Sequence, residues 1–355
     1  MKAKTIRVQT GNARILAVSD LHGSLDLFQE LLEKCSYHPG EDVLVIVGDL
    51  VEKGPDCLGT LRSVMALAQQ EKVYVLSGNC DSYVWERSPE EMWEYVRYWQ
   101  EQELQWQMGQ EAGLAMPQSP EEMRPFRQKL EELYPQEFAF LRGLPHILET
   151  ERVLFAHAGL QGENLEQQEK EYVTSVPLFP RGTDHRFSKL LVVGHYPTAN
   201  YREEEMSNAP FYHPQQNVLS IDGGNGVKHL GQLNGVILNG SGKNWAWHSV
   251  QPGEPLACPC SQQEQTGQLV VWPHNQVERV QCLGELTLCR LVESGVLLEI
   301  PQEFLYEQEG KVFAGGITSK QLALQQGEPV TLLRRYEDRL LLAKEDGEIG
   351  WLVFP

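Results

Sequence analysis

Long apolar runs are missing from this chain: nowhere does it approach the roughly 20 apolar residues that a membrane-spanning helix needs. The first ten residues, MKAKTIRVQT, lack the apolar segment of a secretory signal. Positive charge is scarce as well, with 30 Lys and Arg against 49 Asp and Glu and a formal net charge of −19. That balance argues against broad binding to nucleic acid or to an anionic membrane, both of which need a basic footprint. It also disfavours polyanionic substrates unless a local basic crevice overrides it. The seven cysteines are an odd, scattered set, which argues against a disulfide framework. Cys258 and Cys260 form one C-x-C pair without a partner pair at zinc-site spacing, so no structural zinc is expected. The chain shows no clear internal repeat. The expectation is a soluble cytoplasmic protein.

What is present is ordinary globular material: 355 residues, 41% hydrophobic and 22% charged, enough for one large domain or two. Up to about residue 80 two periods alternate. Ile15–Val18, Val43–Val47 and Val73–Leu76 are short apolar runs. Between them Leu25, Phe28, Leu31 and Leu32, and then Leu58, Leu61, Met65 and Ala68, recur at helical spacing. This βαβαβ pattern predicts a parallel sheet covered on both faces.

Residues 86–140 are rich in Glu, Gln, Trp and Met. Ser88-Pro89-Glu90-Glu91 and Ser119-Pro120-Glu121-Glu122 each read as an N-cap, a first-turn proline and first-turn acids. The segment is expected to form a helical cap. Its aromatics Trp93, Tyr95, Tyr98, Trp99 and Trp106 either pack that cap onto the core or line a substrate groove. Strand patterns return at Val153–Ala156, Leu190–Val193 and Val218–Ile221. Gln251–Gly267 is turn-rich and reads as a linker or domain boundary. Beyond it, short runs such as Leu286–Leu291, Val330–Leu333 and Arg339–Leu342 predict an all-β domain.

The chemistry sits just after each predicted strand: Asp20 and His22 in SDLHG, Asp49 in GDLVEKG, and Asn79 and Asp81 in SGNCD. Next come His157 in FAHAG, His195 in VGHYPT and Asp222 in IDGG. Open α/β sheets bind ligands at the carboxyl ends of their strands, so these groups should converge on one crevice. Oxygen and nitrogen donors suit Mn, Fe or Zn better than a soft thiolate site does. A carboxylate shared between two metals about 3.5–4 Å apart would let them clamp an in-line displacement. No G-x-S-x-G precedes a helix near Ser220, which argues against a hydrolase triad. His213 and His229 read as solvated loop residues.

SDLHG, GDLVEKGPD, GNCD, HAG and GH, in that order, resemble the phosphoprotein phosphatase family of calcineurin-like metallophosphoesterases. The resemblance covers about residues 13–240. It implies an α/β metallophosphoesterase β-sandwich flanked by helices, spanning 1–252 with the cap insertion at about 86–140. A small all-β C-terminal domain at 268–355 resembles an SH3-like barrel. The resemblance puts Asp20 and His22 on a first metal, Asp49 between two metals, and Asn79, His157 and His195 on the second. A bridging hydroxide would then attack phosphorus.

By position, Arg181 in PRGTDHRF matches one of the arginines that grip phosphate in the family. A solvated loop arginine is the competing reading. Asp81 matches the acidic fourth position of the GNHE motif, as a catalytic group beside the metals or as a loop cap.

Two departures stand out. Glu52-Lys53 replaces Asp-Arg, and Lys53 can bring charge to phosphate but not a bidentate clamp. Cys80 replaces the histidine that serves the family as proton donor, and a thiol is a poor substitute. The function implied is dinuclear-metal-dependent phosphoester hydrolysis, first of the Ser/Thr protein phosphatase type. A dinucleoside polyphosphate hydrolase, or a metal-binding pseudoenzyme acting as an interaction module, is the alternative. The implied cofactors are two Mn, Fe or Zn ions. The implied partners are a phosphorylated protein or small molecule and a protein recruited by the C-terminal domain, with no nucleic acid and no membrane.

Overall fold

The computed structural model describes residues 1–239 and 244–354, in two compact units. The first is built from Met1–Tyr196, Pro210–Gly226 and Leu233–Val250, the second from Pro197–Ala209, Val227–Gln232 and Gln251–Pro355.

In the first unit a six-stranded sheet has the order Thr5–Arg7, Ile147–Glu149, Val153–Ala156, Leu190–Val193, Val218–Ser220, Phe211–His213. A five-stranded sheet has the order Trp245–Val250, Leu233–Leu238, Ile15–Val18, Val43–Val47, Val73–Leu76. The last three of these are parallel, as are Val153–Ala156, Leu190–Val193 and Val218–Ser220.

Successive side chains of a strand point to opposite faces, and here both faces are covered. Val43, Val45 and Val47 share a core with Ala17, Phe155 and Val192 of the other strands, the interior of the sandwich. Leu44 and Ile46 pack with Phe28, Leu31, Leu61 and Val64 on the helices Leu25–Lys34 and Cys57–Leu67. An uninterrupted VLVIV is what burial on both faces demands. The outer face of the six-stranded sheet is covered by Leu160, Val173, Phe179 and Phe187.

The insertion contains helices Pro89–Trp99, Leu104–Glu111, Pro120–Leu133 and Pro135–Gly143. Met92, Val96, Leu104, Met108, Phe126 and Leu130 join the same core as the sheet-covering helices. Ser88 caps as expected: its hydroxyl accepts from Glu91 N–H and its own N–H donates to the Glu91 carboxylate. Ser119 makes no such side-chain cap. There Glu122 instead reaches back and accepts from the N–H of Gln118 at 2.8 Å. The two readings of the aromatics divide by residue. Trp93 and Trp106 pack against the core, whereas Tyr95, Tyr98 and Trp99 line a cavity.

In the second unit one five-stranded antiparallel sheet joins Glu254–Ala257, Pro329–Arg335, Arg339–Ala343, Glu348–Val353 and Met206–Ser207. Another joins Leu297–Pro301, Leu286–Leu291, Gln276–Leu283, Lys311–Ala314 and Leu305–Gln308. The region is all-β, as the short runs predict, and it holds two five-stranded sheets. The stretch Gln251–Gly267 is not a bare linker, since Glu254–Ala257 pairs with Pro329–Arg335. Met206–Ser207 pairs with Glu348 and Ile349, which draws a segment from before residue 252 into this unit. Among the described residues no helix is long and apolar enough to cross a membrane.

Candidate metal centre

Tight turns at the strand ends aim the candidate side chains. Asp20, His22, Asp49 and His195 have φ of 55°, 42°, 53° and 68°, the left-handed region. For such residues this costs on the order of 1–3 kcal/mol each and persists only where the surroundings hold it. The surroundings do so here: Asp20 N–H donates to Gly48 O and His22 N–H to Asp49 O, each at 3.0 Å. Asn225, in IDGGNG, donates its side-chain amide to Leu21 O at 2.8 Å and pins the first loop.

The six predicted ligands are brought together. One ligand atom each of Asp49, His157 and His195 lie within 4.8 Å of one another, as do those of His22, Asp49 and Cys80. Asp49 belongs to both groups. Asp20 Oδ1 lies 4.0 Å from His22 Nε2, and Asp20 Oδ2 accepts from His195 N–H at 3.0 Å. Asn79 Oδ1 lies 3.2 Å from His157 Nε2.

The donor chemistry fits a cation. His157 donates from Nδ1 to Val47 O at 2.8 Å, which leaves the Nε2 lone pair facing inward. His22 makes the equivalent contact from Nδ1 to Val51 O at 3.3 Å, and its Nε2 faces Asp49 Oδ2 at 3.7 Å. Asn79 Oδ1 faces only other acceptors, among them the inward nitrogens of His157 and His195. With the amide reversed, its nitrogen would donate to both rings; with the oxygen inward, a cation is what reconciles the lone pairs. The carboxylates lie close against glycine backbones that have no room for a side chain. A Cβ on Gly78 would sit 2.1 Å from Asp49 Oδ1, and one on Gly194 would sit 2.4 Å from Asp20 Oδ2.

The charges agree. Burial, then the Asp49 charge, pushes Asp20 up to about 8. For Asp49 burial acts upward, but His157, His22 and Lys53 outweigh it and hold the carboxyl below the usual range. Two buried carboxylates this close cannot both be charged unless a cation joins them. Burial keeps His22 neutral, down to about 3, and burial with the neighbouring His157 takes His195 to about 4. Neutral imidazole is the ligand form.

The remaining predicted residues divide. Lys53 is half-buried and turns inward. Burial opposes its charge, but Cys80, Asp49 and Asp20 outweigh that and raise its pKa. Arg181 lies exposed on the short 3₁₀ helix Phe179–Gly182, and the buried ring its charge acts on is His213. Asp81 is fully buried and accepts from three backbone N–H groups: Asp49 at 2.9 Å, Leu50 at 2.8 Å and Gly78 at 2.8 Å. Of its two readings, this geometry is that of the loop cap. Glu52 is buried, and burial and the neighbouring Glu103 of the insertion push its carboxyl well up. Asp222 closes its own turn, accepting from Gly224 N–H at 2.6 Å.

His213 is not a solvated loop residue. It is buried in the strand Phe211–His213, its Nε2 3.2 Å from the Oγ of the fully buried Ser220. His229 is exposed, with its ring against Phe304. Sequence reasoning missed Asn225, the approach of Tyr83 to Asn79 (2.8 Å), and the placing of Cys80 among potential ligands. Only the last left a signal, as the departure from GNHE.

Carboxylates and imidazoles converging from parallel strand ends define a metallophosphoesterase class of site. Residues 13–230 match the calcineurin-like phosphoesterase family, and the chain belongs to it. Over 68 residues it is 41% identical to a symmetrical bis(5'-nucleosyl)-tetraphosphatase of Dechloromonas aromatica, covering 19% of this chain and 24% of the relative. Over 74 residues it is 36% identical to serine/threonine-protein phosphatase 1 of Salmonella typhimurium, covering 21% and 32%. Over 173 residues it is 29% identical to the asymmetrical bis(5'-nucleosyl)-tetraphosphatase PrpE of Bacillus anthracis, covering 45% and 63%. The matched stretches thus span 24%, 32% and 63% of these curated relatives' lengths.

Proposed function

We propose that this chain hydrolyses phosphoesters with two cations held around Asp49, and that its substrates are dinucleoside polyphosphates. The first part is carried by the membership of Asp49 in both ligand groups. Cations held there would polarise the phosphoryl group and lower the pKa of water. The chain's own residues set the stage. His22 and His157 keep their Nε2 lone pairs inward by donating Nδ1–H to backbone carbonyls. Lys53 brings a point charge to the phosphate oxygens, without the planar fork of an arginine.

The substrate class rests on what lies beside that centre. The Tyr83 hydroxyl meets Asn79 Nδ2 at 2.8 Å. The same tyrosine opens a cavity of about 1050 Å³ lined by Arg87, Tyr95, Tyr98 and Trp99. The Arg87 guanidinium lies 3.6 Å from the ring centre of Tyr83 and 3.9 Å from that of Tyr95. Aromatic faces stack nucleobases at about 1–3 kcal/mol each, and the arginine supplies charge for the phosphates.

Cys80 points the same way. Burial, then Asp49, pushes its thiol well above the ordinary range, so it holds its proton tightly and is a poor general acid. A nucleotide leaving from a phosphoanhydride needs none. The tetraphosphatase names of two relatives support this reading. A phosphopeptide reading draws on Glu86, Glu90, Glu91 and Glu94 of the same cavity, which would attract basic side chains.

The test compares kcat/KM of the metal-loaded chain on diadenosine tetraphosphate, a basic phosphoserine peptide and an aryl phosphate. The dinucleotide should be preferred. Tyr98→Ala and Trp99→Ala should each raise its KM about tenfold while leaving the aryl phosphate unaffected. Preference for the peptide overturns the substrate class. Tightly bound metal without turnover of any substrate overturns the enzymatic reading.

A further inference from the structure

We propose that Cys80 is itself a metal ligand, so that the cation on the His22 side of Asp49 is held by sulfur as well as by nitrogen and oxygen. This rests on the metal-centre reading above.

Cys80 is in the first turn of the helix Asn79–Glu86 and is fully buried. Its sulfur, a ring nitrogen of His22 and a carboxylate oxygen of Asp49 all lie within 4.8 Å of one another. His22 Nε2 faces the same space, 3.7 Å from Asp49 Oδ2 and 4.0 Å from Asp20 Oδ1, both beyond hydrogen-bond reach. Neighbouring groups address the sulfur. Asn79 Nδ2 donates to it at 3.4 Å, and the Lys53 charge acts on it. The Asn79 contact belongs to the amide orientation that turns Asn79 Oδ1 toward the His157 ring, so one rotamer serves both sides of Asp49.

When the ion binds, the S–H bond gives way to a sulfur–metal bond, and one proton leaves to solvent. A thiol that merely fills the core would not need the Asn79 amide directed at it.

The consequence is selectivity. An all-oxygen-and-nitrogen set suits manganese, whereas a thiolate shifts preference toward zinc, ferrous iron and cobalt.

The experiment titrates Co(II) alone into the chelator-treated full chain and records its absorption. Wild type should show an intense near-ultraviolet sulfur-to-cobalt charge-transfer band together with weak visible bands. Cys80→Ser should keep the visible bands, lose the ultraviolet band and bind cobalt at least about tenfold more weakly, since even outer partners of a ligand contribute 10–100-fold. X-ray absorption of the wild-type cobalt form should find sulfur in the coordination sphere, a reading that does not depend on whether the variant folds. Visible bands without a charge-transfer band or coordinated sulfur overturn the ligand role and leave the metal centre standing. A chain that binds no cobalt overturns the metal centre itself, and this proposal with it.

Discussion

The backbone N–H of Cys80 donates to Oδ1 of Asp49 at 2.8 Å, and the carboxylate of Asp81 accepts from the backbone N–H of Asp49 at 2.9 Å. The loop after Val43–Val47 and the first turn of Asn79–Glu86 therefore hold each other, acid to backbone in both directions. Asp49, common to both ligand groups, is thereby held at its backbone and at its carboxylate before any cation arrives.

Replacing that carboxylate tests its shared role. Asp49→Asn removes one negative charge from both groups at once, so the variant should lose turnover and at least one metal. Elemental analysis of the purified variant is the measurement, and two tightly retained metals would contradict the assignment.

Asp81 is expected to matter for stability rather than for proton transfer. Asp81→Ala leaves three buried backbone N–H groups without an acceptor. At about 1–3 kcal/mol for each unsatisfied group, stability should fall by at least about 3 kcal/mol in urea unfolding. Asp81→Asn retains an acceptor oxygen and should lose less. An alanine variant of native stability but poor turnover would return the residue to a catalytic role.

His146 gives a pH prediction away from the centre. Its Nδ1 accepts from the N–H of Lys4 at 2.9 Å, and burial lowers its pKa from 6.5 to about 4. The unfolded chain therefore binds a proton that the folded chain refuses, and stability rises with pH in that window. The contribution is complete above about 6.5 and is lost as pH falls toward 4. Unfolding free energies measured from pH 7 to 4 should decline less steeply in His146→Gln than in wild type; parallel curves would remove His146 as the cause.

Leaving-group dependence checks the missing acid. General acid catalysis contributes typically 10²–10⁴-fold, and an alkoxide depends on it far more than an aryl oxide or a phosphate. Aryl phosphates should accordingly turn over at least about 100-fold faster than alkyl phosphates of similar size. Equal rates would mean that another group already supplies the proton.

Much of the first unit was legible because its signals are local. VLVIV reports burial on both faces within five residues, and Ser88-Pro89-Glu90-Glu91 spells a helix start whose hydrogen bonds span three positions. The polar residues at the strand ends were equally plain. Other features left no local trace. His213 sits in a polar-looking stretch, yet its strand pairing with Val218–Ser220 buries it. Met206–Ser207 is too short to read as a strand and exists because Glu348 and Ile349 pair with it.

The sequence by itself determined which chemical groups stand at the ends of the strands, because apolar period and turn residues act over a few positions. Only the tertiary structure decided what those groups face. His157 Nδ1 reaches Val47 O across 110 residues of chain, and Asp20 receives the N–H of His195 across 175. The left-handed turns at Asp20, His22, Asp49 and His195 are held by bonds of this long-range kind. The same closure set Cys80 against Asp49 and Lys53, because a side chain's partners are fixed by where distant strands end.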